Sequence, residues 1–254
     1  MTPSSEHRQT ILISFSGIDG AGKSTQIANL CAHLHAARLR VEIVTFWDDV
    51  ATLKHLREDA GHRIFKGDRG VGSPDAPINR RDKNVRSPLM TLVRLGIYFL
   101  DALALRTIAK KALDCGADVV IFDRYLYDEL ANLNVRNALL RPFVRALKEL
   151  VPQPDVSFVL DADPEQARAR KPEYPLAFLR ENRNAYLALS DFLGGITVVP
   201  PLPLEQAKAE VLRNVFGVPP TRNGEPPRTD QRAIEETAAH QKEMDGQSAR
   251  PIAS

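Results

Sequence analysis

The 254-residue chain has only two cysteines, one tryptophan and almost no surplus of either charge. Cys31 and Cys115 stand far apart and offer neither a disulfide framework nor a metal cluster. Both fall in apolar stretches that read as helix, as buried thiols of a reducing compartment. Thirty-four Lys and Arg against 32 Asp and Glu leave a formal net charge of +2. A dedicated nucleic-acid binder needs a basic surplus to offset many phosphates, so no nucleic acid polymer is expected as a partner and any positive patch is local. Long hydrophobic runs are also missing. The most apolar stretch, Leu89 to Leu105, is broken by Arg94 and Asp101, and Met1 to Gln9 is polar without the basic-then-apolar pattern of a signal peptide. Neither secretion nor a membrane partner is expected, and the location reads as cytoplasmic. What remains, 43% hydrophobic and 26% charged residues, is ordinary globular composition. It excludes collagen, a wholly disordered chain and a disulfide mini-protein.

Five short runs rich in Val, Ile and Phe have strand length: Ile11 to Ser16, Val41 to Phe46, Val119 to Phe122, Val156 to Leu160 and Ile196 to Val199. They are mostly continuous rather than alternating in polarity, which suits strands covered on both faces, as in a parallel sheet flanked by helices. Helical spacing fills the gaps at Ser24 to Arg38, from Ser87-Pro88 to about Leu113, and at Leu139 to Leu150, Glu165 to Arg170, Leu176 to Phe192 and Leu204 to Val215. Ser87 reads as a cap, Pro88 as a first turn and Gly116 as a stop. The alternation predicts an α/β fold, three-layered and doubly wound.

Two regions depart from that order. Residues 61–86 hold four glycines, two prolines and seven Lys or Arg, including Arg80, Arg81 and Lys83, against three Asp. A loop this long inside a domain is usually functional or disordered. Residues 217–254 contain no aromatic residue and few large apolar ones, too little to offset the cost of ordering. The expected organisation is a flexible N-terminus at 1–9, a folded domain at 10–216 and a disordered tail at 217–254.

Three motifs carry chemistry. Gly17-Ile18-Asp19-Gly20-Ala21-Gly22-Lys23-Ser24 fits G-x-x-x-x-G-K-[ST] and falls between a strand and a helix, the context that pattern requires. Its glycines let backbone N–H groups turn around phosphate oxygens, Lys23 neutralises the transferring phosphate, and Ser24 offers a hydroxyl to Mg²⁺. At Asp123-Arg124-Tyr125 an apolar strand ends in an acid and a base, where ligands meet an open sheet. Asp123 suits Mg²⁺ or its water shell and Arg124 an anion, or the two form a surface ion pair. At Asp161-Ala162-Asp163-Pro164-Glu165 a strand gives way to a helix ending in Arg168, Arg170 and Lys171. Those cations are either a solvated helix end or part of a lid closing over a nucleotide.

Together, in order and spacing, the motifs resemble those of the thymidylate kinase family of P-loop nucleoside monophosphate kinases, over about Ile11 to Phe216. The resemblance implies the three-layer P-loop kinase fold with a five-stranded parallel sheet and a short lid at about 164–175. It implies ATP as donor, Mg²⁺, and a small-molecule nucleotide as acceptor of the γ-phosphate, and a homodimer stays open. Gly17, Gly20, Ala21, Gly22, Lys23, Ser24 and Thr25 would hold ATP, with Ser24 and Asp123 on the metal. Asp19 corresponds to an acid that contacts the acceptor sugar, and Arg124 to one that helps hold phosphate. Some members carry a catalytic Arg where this chain has Ala21, so the resemblance favours supply from the lid, by Arg168 or Arg170.

After the second strand the family usually carries Arg-Glu-Pro-Gly, whose Arg grips the acceptor phosphate, whereas this chain reads Thr45-Phe46-Trp47-Asp48-Asp49. Asp48 and Asp49 either cap a helix at 51–59 or serve as base toward a substrate hydroxyl. Three function classes follow: a nucleoside monophosphate kinase whose loop cations Arg80 and Arg81 replace the missing grip, a kinase of a nucleoside or other small hydroxyl compound, or a nucleotide-hydrolysing switch. Arg94, Tyr98 and Asp101 share one face of the long helix, and because burying them unpaired is expensive they either satisfy one another or line the acceptor pocket.

Overall fold

Strand propensity and continuous apolar patterning place β1 at Ile11–Ser16, β2 at Val41–Thr45, β3 at Val119–Asp123, β4 at Val156–Leu160 and β5 at Thr197–Val199 in this computed structural model. The structure describes residues 10–46 and 88–217. The expectations for Trp47, Asp48, Asp49, the helix at 51–59, the loop at 61–86 with Arg80, Arg81 and Lys83, Ser87, and the segments 1–9 and 218–254 lie outside those residues. The sheet order is β2-β3-β1-β4-β5, and every described pairing is parallel. β1 therefore lies at the centre, with Ile13 opposite Ile121 on one side and Val156 on the other.

The helices are α1 (Lys23–Ala36), α2 (Pro88–Leu113), α3 (Leu126–Leu130), α4 (Arg141–Leu150), α5 (Pro164–Arg170), α6 (Leu176–Leu193) and α7 (Leu204–Phe216). Successive strand side chains point to opposite faces, so each strand feeds two cores. Leu12, Val120 and Phe122 join Leu105 of α2, Val144 of α4 and Leu189 of α6 on one face. Ile13, Phe15, Ile121 and Phe158 join Leu30 and Leu34 of α1 and Val211 of α7 on the other. Phe15 stacks on Phe158 with ring centroids 5.0 Å apart. Each fully buried side chain of this size contributes roughly 1.5–3 kcal/mol. This three-layer, five-stranded parallel architecture is the expected one.

Two local expectations fail. Cys31 is buried, but Cys115 lies beyond the end of α2 and is exposed. Gly116 follows it with φ +85°, so the chain turns there rather than continuing the helix. The five-residue α3 was not anticipated, because so short a segment carries no readable period. Long α2 also leaves Leu92, Phe99 and Leu100 exposed.

Candidate active site

The loop from β1 to α1 takes the shape its glycines permit. Gly17, Gly20 and Gly22 have φ of +137°, +80° and +89°, conformations that are strained for residues with a Cβ. Gly22 caps α1, whose first turn holds Lys23, Ser24 and Thr25 and no acid. Lys23 is buried, and its Nζ donates to the carbonyl oxygens of Gly17 at 2.8 Å and Ile18 at 3.0 Å. Ser24 and Thr25 are exposed, with their hydroxyls at the helix start where an anion meets the dipole.

Beside this loop, β3 ends in Asp123 and the chain turns at Arg124, a non-glycine residue with φ +72°. Backbone strain of this kind persists only where surrounding contacts hold it. Here the Arg124 N–H donates to the carbonyl of Phe15 at 2.9 Å, and the guanidinium lies between two carboxylates. Its Nη2 donates to Asp19 at 2.6 Å and its Nη1 to Asp128 at 3.4 Å. Asp128 also accepts from Ser16 Oγ at 2.6 Å, the Tyr125 N–H at 3.0 Å and Tyr186 OH at 2.7 Å.

Just before the segment expected as a lid, Asp163 caps α5 by accepting from the Gln166 N–H at 2.9 Å. The carbonyl of buried Ala167 lies against Gly20, so α5 sits directly on the P-loop. Of the three cations, Lys171 comes within 3.8 Å of Asp19 and 3.3 Å of Glu173. Arg168 is half-buried, with no hydrogen bond or ion pair among the described residues. Arg170 is exposed and turns back, its Nε donating to the Gln166 carbonyl at 3.2 Å. α6 is anchored to the end of β4 by a two-pronged contact, Arg183 donating to Asp161 at 2.6 and 2.7 Å.

These charges act on one another. Burial works against the Asp19 carboxylate, but Arg124, Lys23 and Lys171 overcome it and hold its pKa below the ordinary value. Burial, reinforced by Arg124, pulls the Lys23 ammonium down to about 8. Burial pushes Asp123 up, against Lys23 and Arg124. Arg124 is pushed up by Asp128 and Asp19 despite its own burial. Burial, then Asp128, raises Tyr186 well above the usual phenol range.

The half-buried Asp123 carboxylate has no hydrogen-bond or ion-pair partner among the described residues, and no described group of three or more His, Cys, Asp or Glu could hold a metal on its own. One free carboxylate and one exposed hydroxyl fit Mg²⁺, which keeps most of its waters and is bound together with substrate phosphates. On α2, Tyr98 and Asp101 are buried and Arg94 half-buried, and each is engaged by a partner. The sequence reading missed Tyr186 and the contacts of Asp128. Their signal, a Tyr three residues after Arg183 and an acid four residues after Arg124, is too slight to stand out.

The P-loop, the Asp123-Arg124 strand end and the cationic segment thus converge at the carboxyl edge of one sheet, as the resemblance implies. A thymidylate kinase of Chlorobium luteolum is 30% identical over 182 residues, covering 67% of this chain and 72% of that relative. The chain belongs to the thymidylate kinase family. This thymidylate kinase-like chain is also 27% identical over 209 residues to a probable thymidylate kinase of Archaeoglobus fulgidus, covering 79% of itself and 92% of the relative. Its fold matches the solved thymidylate kinase of Candida albicans with a TM-score of 0.52 at 16% identity, over 82% of this chain and 92% of that one. No protein-family model matches the chain. As a member of the family it is an ATP-dependent nucleotide kinase acting on small nucleotide substrates.

Proposed function

We propose that this kinase transfers the γ-phosphate of ATP to the phosphate of a nucleoside monophosphate, within a catalytic unit at 10–216. The observation that carries the reading is the set of cations around Asp19. Lys23 comes from the P-loop, Arg124 from the end of β3 and Lys171 from the end of α5. Bringing two phosphates together concentrates negative charge at one point, which fixed cations stabilise as it develops.

Lys23 leaves the Gly17 and Ile18 carbonyls for the β/γ-phosphates, which the N–H groups of Gly20 to Ser24 also hold. Asp19 orients the acceptor sugar. An oxygen of the acceptor phosphate attacks the γ-phosphorus as the bond to the ADP oxygen breaks. Arg124, with Arg168 or Arg170, stabilises the equatorial oxygens in transit. A phosphate is already an anionic nucleophile at neutral pH, so no general base is required. Ser24 and Asp123 would hold Mg²⁺, which when bound supplies charge neutralisation on the nucleotide phosphates.

The deciding experiment measures coupled ADP release across nucleoside monophosphates and nucleosides, then repeats it on two sets of variants. Neutralising Arg80, Arg81 and Lys83 together is expected to raise the acceptor KM steeply, while Asp48→Asn and Asp49→Asn stay mild. A neutral hydroxyl acceptor would need a positioned base, contributing roughly 10²–10⁴-fold. A kcat collapse at Asp48 or Asp49 with a silent triple variant would overturn the monophosphate reading. ADP release that needs no acceptor would point to a switch.

A further inference from the structure

Asp128 takes no part in the transfer proposed above, yet its carboxylate accepts four hydrogen bonds. Its side chain is 2% exposed. Oδ2 accepts from Ser16 Oγ at the end of β1 and from the Tyr125 N–H that opens α3. Oδ1 accepts from Tyr186 OH on α6 and from Arg124 Nη1. Four donors from four places in the fold meet on one buried carboxylate, and a buried donor left unpaired without it costs about 1–3 kcal/mol.

The two carboxylates on Arg124 differ in kind. Asp19 is about one-fifth exposed and sits on the P-loop, so its side of the guanidinium opens toward ligand. Asp128 is sealed behind it. A phosphate arriving at Nη2 trades places with Asp19, whereas Nη1 faces the buried Asp128. The fixed Asp128 therefore keeps the guanidinium plane in place during that exchange, and it supports the left-handed Arg124 backbone by binding the next N–H along the chain.

We propose that Asp128 is a positioning residue for phosphoryl transfer, holding Arg124 as an anion from behind, with Tyr186 and Ser16 holding Asp128 in turn. The inference rests on the reading of Arg124 as a phosphate-holding residue. An arginine whose orientation is set before the reaction costs no reorganisation in the transition state, and one freed to rotate loses part of that advantage.

The test is a double-mutant cycle between Asp128→Asn and Arg124→Ala, with kcat, both KM values and the unfolding midpoint measured for each protein. Asp128→Asn keeps the shape but removes the charge and points amide hydrogens at donors. It is expected to lower kcat about 30- to 300-fold and to leave the ATP KM within about twofold, because Lys23 and the P-loop backbone hold ATP. In the Arg124→Ala background the same change is expected to cost less than about threefold, since the group it acts through is gone. A purely structural role would lower the unfolding midpoint in both backgrounds and cost the same factor of kcat in each.

Equal factors in the two backgrounds overturn the proposal, as does a kcat within twofold for Asp128→Asn or a silent Arg124→Ala. Tyr186→Phe, which removes one donor and leaves no new buried polar atom, carries the same cycle if Asp128→Asn does not fold. It is expected to cost kcat about 3- to 10-fold with the same loss of effect on Arg124→Ala. The cycle uses whichever acceptor the substrate screen gives. An acceptor other than a nucleoside monophosphate thus overturns the functional reading, and the coupling between Asp128 and Arg124 is judged separately.

Discussion

Lys171 Nζ lies 3.8 Å from Asp19 Oδ1, so the residue that closes α5 reaches back to the acid inside the P-loop. Ala167, one turn earlier, packs its carbonyl against Gly20. The segment read as a lid therefore rests on the phosphate-binding loop, and its cations differ in their surroundings. Lys171 reaches Asp19 and Arg168 is half-buried, whereas Arg170 is exposed and turns back to the Gln166 carbonyl.

That division ranks three alanine variants. Arg168→Ala and Lys171→Ala are expected to lower kcat/KM about tenfold or more, and Arg170→Ala less than about threefold. None should cost much stability, because exposed ion pairs contribute only about 0–1 kcal/mol. Steady-state kinetics beside thermal unfolding check it. A collapse at Arg170 with Arg168 silent would mean that α5 turns over when nucleotide binds.

Lys23→Ala is expected to reduce turnover on the order of 10²-fold or more, since the transition state loses a fixed cation where charge spreads over phosphate oxygens. ATP binding weakens less, because backbone N–H groups carry much of it. Single-turnover transfer and ATP affinity, measured on the same folded protein, separate the two. Turnover within about threefold of wild type, under ~1 kcal/mol, would be incompatible with the assigned role.

The depressed Lys23 gives a pH dependence of known sign. In the free enzyme the ammonium loses its proton near pH 8 rather than at its ordinary 10.5. Bound phosphates favour the charged form and move that loss upward. kcat/KM for ATP, which reports the free enzyme, is expected to fall above about pH 8, and kcat, which reports the bound state, to hold to higher pH. For stability the unfolded chain binds more protons between about 8 and 10.5, so this group's contribution rises with pH across that window. Two coincident basic limbs in the pH profiles would remove Lys23 as their origin.

Much of this was legible beforehand, for physical reasons that also explain what was not. The five strands announce themselves because both faces are buried, and the P-loop because its glycines need positive φ at Gly17, Gly20 and Gly22. Asp123 and Arg124 stand out as the first charged pair after an apolar run. The partners of Asp128 did not stand out. Tyr186 lies 58 residues away and Ser16 112 residues away, and only the packing of α6 on α3 and the pairing of β1 with β3 bring them together. Cys115 reads as buried from its apolar neighbours, yet helix α2 stops at Leu113 and leaves it outside.

Two P-loop glycines separate backbone strain from contact with the lid. Gly20 and Gly22 have nearly the same φ, +80° and +89°. A Cβ at Gly22 meets nothing within 4 Å, so Gly22→Ala costs only the left-handed conformation, roughly 1–2 kcal/mol. A Cβ at Gly20 runs into the carbonyl and Cα of Ala167. Both sides of that clash are backbone, so no side chain can swing away to relieve it. Either the P-loop distorts or α5 lifts off, and Lys171 on Asp19 ties the end of α5 to the P-loop. Gly20→Ala is therefore expected to lose ~3 kcal/mol or more in urea unfolding, well beyond Gly22→Ala, and to lower turnover in the protein that remains folded. Equal stability losses at the two positions would mean that α5 gives way freely and that its contact with Gly20 fixes nothing.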